Sequence, residues 1–469
     1  MRWREALHPV GMERVALMSP QVRLRDLLAV VADQGTVELD DPGPDVDAVV
    51  RPTPAAAALQ RSSAGSANPA ALARTAPDLD VWERDGRVDL LAGEAQLEER
   101  AARTVRRGRV AALAGWTPTA ALPALTARLA DVDGVVVPLA RPAGSEPPTQ
   151  LPTTGVAREF APLVDTYATV PYVDLNPSVI AGLAYVLMFG MMFADVGEGA
   201  LLLCLALALR VGRPTRLAGL RPGWLFMAGA GAASMVFGAL YGEFFGPTGV
   251  IPVLWLAPLD HPVTLLVAAV GVGALFLTVA YGLGTVNRFR EGGWRLALYA
   301  PTGIAGVTVF LGLGLLAGAI YLDDGLLLLG AVVLTAVGLG LAFAGLLLSA
   351  GGGAAGAAQA AIELFDLVMR ICSNLVSFAR LAAFGLTHAA LGLVIWQATT
   401  ALWDRGPLGA VAGVAVFVAG TAVSFGLEGL VAAIQALRLE YYELFSRIFD
   451  GEGRPFRPWH IPFEPTEAS

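Results

Sequence analysis

From Leu175 onward the chain runs through seven apolar stretches, 177–210, 223–246, 262–287, 296–321, 325–350, 361–403 and 408–445. A helix needs ~20 apolar residues to cross the ~30 Å hydrocarbon core, and every stretch meets that length. The joints between them report direction. Arg210, Arg213, Arg216 and Arg221 crowd the joint after the first stretch, and Arg288, Arg290 and Arg295 the joint after the third, while residues 247–261 hold no Lys or Arg. The positive-inside rule puts the arginine-rich joints in the cytoplasm. Alternation then predicts Asp323 and Asp324 outside, the Gly/Ala joint near Gly351 inside, Asp404 and Arg405 outside, and the C-terminus inside. If the segment before the first stretch is also cytoplasmic, residues 177–210 must enter and leave on one side, as a hairpin or re-entrant pair. The expected break is Asp195-Val-Gly-Glu-Gly199. Each arm would hold ~15 residues, ~23 Å, short for a full crossing. At the other extreme, residues 361–403 as one helix would reach ~65 Å, so the last two helices are expected to tilt or protrude.

Composition agrees with a membrane protein: 55% of residues are hydrophobic and 15% charged, too apolar for a soluble chain of this length. The charges concentrate in residues 1–173, among Ser, Pro and Asp clusters, which makes that part a soluble domain. A formal net charge of −8 argues against nucleic acid, whose binding selects basic patches, and implies no polyanion partner. Cys204 and Cys372 both fall inside apolar stretches and read as small hydrophobes, with neither a disulfide nor a metal pair expected. The opening MRWREALHPVGMERV lacks the apolar core of a signal peptide, so the first domain is expected to stay in the cytoplasm. Spacings such as Gly238-x-x-x-Gly242-x-x-x-Gly246 read as close helix packing.

Charges at membrane depth carry the candidate chemistry. An Arg at mid-helix costs ~2.5–3.5 kcal/mol even on the lenient insertion scale, so it needs a partner or a function. Arg380 lies in SNLVSFARLAAFGLTHAALGLVIW, where Ser373, Ser377, Arg380, Phe384, Thr387 and His388 recur at helical spacing as a polar stripe. Arg438 lies in FGLEGLVAAIQALRLEYYELF with Glu428 ~15 Å earlier on the same helix. Arg438 is either functional or a snorkelling residue near the cytoplasmic end, and His388 either functional or a packing residue between helices. Asp195, Glu198, Glu243, Glu363 and Asp366 complete the acidic set, the last two placed where solvent reaches a cytoplasmic mouth. A permanently charged Arg lowers the pKa of a carboxylate brought beside it and forces release of a bound proton or ion, which acids and a His can relay onward.

These segments resemble the a subunit of V-type and A-type rotary ATPases, called subunit I in prokaryotes, over most of residues 150–460. FGMMFADVGEG is similar to the family's first-helix signature, with Glu198 where His or Tyr is usual, and LYGEFFG matches another motif. ICSNLVSFARLAAFGLTHAAL resembles the segment with the essential channel arginine, which maps to Arg380, and a His mapping to His388. FGLEGLVAAIQALRLEYYELFSRIFDGEGRPFRP resembles the end of the last helix, giving Glu428 and Arg438 the places of its acid and second arginine. Asp366 aligns with a glutamate lining one half-channel, while Arg370 stands where a neutral polar residue is commoner. In the soluble part, VALMSPQVRLRDLLAVVADQGTVELDD and VAALAGWTPTAALPALTARLADVDGVVV resemble two α/β lobes. The family's long coiled-coil arm between them is largely missing, because residues 51–83 are Ala/Ser/Pro-rich with no heptads.

The resemblance implies an α-helical polytopic membrane domain of about eight transmembrane helices, the last two long and tilted, preceded by a small cytoplasmic α/β domain. The expected divisions are 1–173, cytoplasmic α/β; 174–450, transmembrane ion channel; and 451–469, a cytoplasmic C-terminal tail. It further implies a stator beside a ring of proteolipid c subunits, whose carboxylates meet Arg380 and Arg438. One half-channel would be lined by Asp366 and Ser373, and the other by Asp195, His388 and Glu428. Ser377, Glu363, Glu198 and Glu243 are further candidates for ion translocation, assigned to neither half-channel. Peripheral and central stalk subunits and the lipid bilayer complete the expected partners; the ion is a proton or sodium. No cofactor, metal or direct nucleotide binding is expected, since there is no G-x-x-x-x-G-K-[ST] loop and no lysine, so the chain is read as non-catalytic. Its 32 basic residues, all arginine, suggest a GC-rich genome and a prokaryotic plasma membrane. Two other readings stay open: a stand-alone secondary transporter, for which no internal repeat is seen, and a membrane scaffold with structural charges.

Overall fold

The computed structural model describes residues 8–40, 53–62, 69–142, 144–152, 156–212, 215–449 and 451–464. The opening MRWREAL, Arg213, residues 51–52 and 63–68 of the Ala/Ser/Pro-rich segment and residues 465–469 of the expected tail lie outside the described residues. Two compact units form: Pro152–Glu452 make one, and Pro9–Leu151 with the chain from Gly453 make the other. The sequence reading set its divisions after residues 173 and 450. The structure moves the first because the entry helix packs with the membrane helices: Phe160 lies 5.9 Å, ring to ring, from Phe226, and Leu163 accepts a hydrogen bond from the Tyr441 hydroxyl at 3.2 Å.

The smaller unit is one antiparallel sheet built by two similar halves. The first is β1 (Met12–Pro20), α1 (Leu24–Gln34) and β2 (Glu38–Leu39). Three short helices follow, α2 (Pro54–Arg61), α3 (Leu79–Arg84) and α4 (Val88–Ala102), then β3 (Val105–Arg107). The second half is β4 (Val110–Pro118), α5 (Leu122–Ala130) and β5 (Val135–Pro138). The halves exchange short strands: β2 pairs with β4 and β5 with β1, giving the order β2-β4-β1-β5 with β3 also on β4. Leu17 faces Leu113 across the central pair, and alternate β1 positions Val15 and Leu17 are buried against Leu27, Leu28, Val31, Leu125 and Leu129. The two lobes read from sequence are thus one domain. In place of an arm, α2 and α3 pack on α4, whose 15 residues extend only ~22 Å.

The segment after Gly453 is not a free tail. Trp459 and Ile461 are buried in the same core, Trp459 N donates to Val37 O at 2.9 Å, and Ile461 N donates to Ala32 O at 3.0 Å. Leu72 N donates to Pro462 O and Glu464 N to Leu72 O, each at 2.9 Å. An apolar pair spaced by one residue, flanked by prolines, gives the extended backbone that lies in such a groove.

The larger unit continues with α6 (Val156–Tyr167), α7 (Ser178–Met192), α8 (Val196–Val211), α9 (Trp224–Tyr241), α10 (Pro262–Tyr299), α11 (Ile304–Leu322) and α12 (Gly325–Ser349). It ends with α13 (Gly353–Ser377), α14 (Ala379–Trp403), α15 (Pro407–Leu439), a π-helical turn Glu440–Phe445 and a last turn Ser446–Ile448. Among the described residues six helical segments are long and apolar enough to cross a membrane. α7 and α8, with 15 and 16 residues, are shorter. The hairpin itself is there. Gly231 abuts Leu203, Gly199 abuts Met235 and Gly238 abuts Val196, so α8 runs opposite to α9; Gly229 meets Val186 and Gly190 meets Ala233, so α7 runs with α9.

Three boundaries differ from expectation for identifiable reasons. The hairpin turns at Phe193–Asp195, just before the anticipated break, because Gly197 and Gly199 lie inside α8 and admit Phe245 and Met235 rather than ending the helix. The stretch 296–321 is divided. Residues up to Tyr299 finish α10 beyond a non-helical Gly292–Gly293, and α11 starts at Ile304 after Pro301 and Gly303. The ~65 Å helix is two helices of 25 residues each, because the ladder breaks at Phe378, whose fully buried ring lies against Gly273 of α10.

Candidate functional site

The α7–α8 turn is where buried acids begin to gather. Asp195 caps α8: one carboxylate oxygen accepts from Glu198 N at 2.8 Å, the other from Gly246 N at 2.7 Å. The carboxylate thereby ties the hairpin to the loop after α9, which also receives a hydrogen bond from Val196 N to Glu243 O at 3.1 Å. A capping Asp satisfies the orphan donors of a helix start, so part of Asp195's burial is structural. Glu198, one turn into α8, and Glu243, after α9, point into the same interior. They are 4% and 2% exposed, and Glu198 Oε2 and both Glu243 oxygens have no hydrogen-bond partner among the described residues.

His388 of α14 completes the cluster. Its Nδ1 meets Glu428 Oε2 of α15 at 2.5 Å, and the Ser424 hydroxyl donates to the same oxygen at 2.9 Å. Phe193 packs on the imidazole with ring centroids 5.0 Å apart. Ligand atoms of Asp195, Glu243 and His388 all lie within 4.8 Å of one another. Beside His388 and Glu428 opens a cavity of about 210 Å³, also lined by Met192, Phe384, Thr387, Leu427, Val431 and Ala432, room for several waters. A carboxylate, an imidazole and water in line can pass a proton stepwise.

The arginines occupy a different face. Arg380 follows the Phe378 break by two residues and lines an open cleft of about 520 Å³ with Met369, Cys372, Ser373, Val376 and Ser377. Its Nη1 is buried with no hydrogen-bond partner among the described residues. The charges of Arg438 and Glu443 both bear on Arg380. Arg438 itself is exposed on α15. Farther along α13, Asp366 pairs with Arg370 at 2.6 Å, both more than half exposed, which gives the unusual Arg370 a partner. Glu363 accepts from Gln359 at 2.8 Å near the same end.

Thus Asp195, Glu198, Glu243, His388 and Glu428 come together, Ser373, Ser377 and Arg380 line one cleft with Arg438 nearby, and Asp366 and Glu363 stand apart on α13. Sequence reasoning missed Glu440, Glu443 and Arg447. Glu440 is fully buried with no hydrogen-bond partner for either oxygen among the described residues, and Arg447 sits over the Tyr281 ring at 5.3 Å. The signal was a run of charges, LEYYELFSR, continuing an apolar helix. It also missed Asp174, whose carboxyl burial pushes up to about 7, with Glu291 nearby adding to the shift.

The model of the V-type ATPase 116kDa subunit family matches residues 102–248 and 357–461, together more than half of the chain. Among curated proteins, A-type ATP synthase subunit I of Pyrococcus horikoshii is 27% identical over 335 residues, 68% of this chain and 48% of its own length. The same-named subunit of Aeropyrum pernix is 28% identical over 411 residues, 76% of this chain and 58% of its own. That of Archaeoglobus fulgidus is 27% identical over 402 residues, 74% and 58%. The chain therefore spans about half the length of the curated relatives it matches.

Proposed function

The chain belongs to the V-type ATPase 116kDa subunit family, and from that membership we propose that it is the membrane stator of a rotary ATPase. It provides two ion half-channels and the arginines that face a ring of proteolipid carboxylates. Proton or sodium passage is thereby coupled to ATP hydrolysis or synthesis carried out by partner subunits, with peripheral and central stalks completing the complex. One half-channel runs along α13, past Glu363 and Asp366 to Ser373 and Ser377. The other runs through Glu243, Glu198, Asp195, His388 and Glu428. Eight crossings, with both termini in the cytoplasm of a prokaryotic cell, fit this arrangement.

The observation that carries the reading is Arg380: a guanidinium in an open cleft on an apolar face, with a buried Nη1 that finds no partner among the described residues. A permanent charge so placed calls for a carboxylate from outside. When a ring carboxylate arrives, Arg380 favours its ionised form and expels its ion, and the same charge bars a direct leak between the half-channels. The test is Arg380→Ala in the complex isolated from its native membrane. ATP-driven ion uptake should fall to background while the subunits still co-purify. Coupled uptake persisting in the assembled variant would sink the proposal.

A further inference from the structure

We propose that Asp195, Glu243 and His388 form a binding site for a divalent transition-metal ion, Zn²⁺ in particular. The three offer one ligand atom each, all mutually within 4.8 Å, and all three residues are buried. Glu243 supplies the independent sign of a ligand: it is 2% exposed, and both its oxygens lack a partner among the described residues. A buried carboxylate is costly unless something neutralises it, and two carboxylates with one neutral imidazole balance a divalent ion to zero charge.

The geometry needs little change. Zinc holds oxygen and nitrogen at ~2.0–2.2 Å in a tetrahedron, so ligand atoms stand ~3.4 Å apart; with every pair within 4.8 Å, none has to close by more than ~1.4 Å, within reach of a rotation of the Glu243 side chain. Each Asp195 oxygen accepts a single backbone N–H, leaving a lone pair for the ion. Nδ1 of His388 faces Glu428, which leaves Nε2 to ligate, and a carboxylate behind a ligating imidazole fixes its orientation and raises its basicity. Water from the adjacent cavity takes the fourth position. An imidazole in the set favours Zn²⁺, Cu²⁺ and Co²⁺ over Ca²⁺ and Mg²⁺.

The consequence for transport rests on the half-channel reading: an ion held there occupies the relay and Zn²⁺ inhibits translocation. The binding claim does not depend on it. The full-length chain in detergent micelles, titrated with Zn²⁺ alone against a fluorescent chelator, should take up one equivalent. Glu243→Gln and His388→Gln should each weaken that uptake by more than tenfold. Glu428→Gln should weaken it about 10- to 100-fold through the supporting carboxylate, and Asp404→Asn on an exposed joint should leave it unchanged. Because a variant can fail by misfolding, the unmodified chain provides a second readout: bound Cu²⁺ should show the hyperfine coupling of one imidazole nitrogen. No uptake by the unmodified chain, uptake unchanged in Glu243→Gln and His388→Gln, or Cu²⁺ without imidazole coupling overturns the site. Zinc bound as described while pumping by the complex continues unaltered leaves the metal site standing and removes the half-channel role.

Discussion

Asp195 does two jobs at once, and its neighbours show which is structural. Its oxygens accept two backbone donors that join α7, α8 and the loop after α9. Asp195→Ala strands both buried donors, and at ~1–3 kcal/mol for each unsatisfied group the membrane unit should lose ~2–6 kcal/mol, read as a lower thermal midpoint in detergent. Asp195→Asn keeps an oxygen for the cap and should recover much of that stability while remaining unable to carry a proton. Stability lost equally in both variants would show that the charge, and not the cap, holds the turn. Asp174, outside the spanning helices, gives a pH signature. Burial lifts its carboxyl from 3.8 to about 7, with Glu291 adding. A carboxyl raised on folding contributes stability that is fully present below its unfolded pKa and lost as pH rises through the folded one. The unmodified chain should therefore melt lower at pH 8 than at pH 5, and Asp174→Asn should reduce that difference.

Among the elements, the helix breaks do most to place the chemistry. The break at Phe378 separates α13 from α14 two residues before Arg380, and the π-helical turn after α15 holds Glu443 where the charges of Arg380, Arg438 and Arg447 bear on it. A π turn inserts one residue beyond the α register, which re-aims every side chain after it. The hairpin depends on close approach instead. A Cβ on Gly238 would sit 2.5 Å from Val196 N, a backbone atom that cannot turn aside as a side chain can. Gly238→Val should cost ~1–3 kcal/mol or more of overpacking strain and separate α9 from the Asp195 turn, seen as a lower melting point and reduced yield of folded protein. Gly314, whose Cβ position meets nothing within 4 Å, should accept the same change with little effect.

At the scale of the whole molecule, the chain returns after its last membrane helix to complete the sheet-bearing unit it began with. Ile461 is 1% exposed in that core, and Ile461→Ala should cost ~2–5 kcal/mol. Faster amide exchange in α1, where Ala32 O accepts from Ile461 N, would report the loss. A variant ending at Glu452 should expose Leu72 and the edge of α1 together. Exchange unaltered in both would mean that the strap adds nothing to the unit.

The membrane class, the order of the apolar helices, the hairpin and the charged residues worth examining were all legible in the sequence, because a bilayer constrains each segment by itself. Length, apolarity and the bias of flanking arginines are local quantities. Motif resemblance added candidate roles for Arg380, His388 and Glu428. What no local quantity could supply was the company each residue keeps. Asp195, Glu243, His388 and Glu428 stand on four separate segments, and only helix packing makes them one buried cluster. Periodicity likewise could not show that an apolar run breaks at Phe378, since the residue that breaks it is itself apolar and is held by Gly273 of a distant helix. Nor could it show that Trp459 and Ile461 belong to a sheet more than three hundred residues earlier. Burial of a residue by a partner remote in sequence is a property of the assembled chain, and tertiary structure alone decides it.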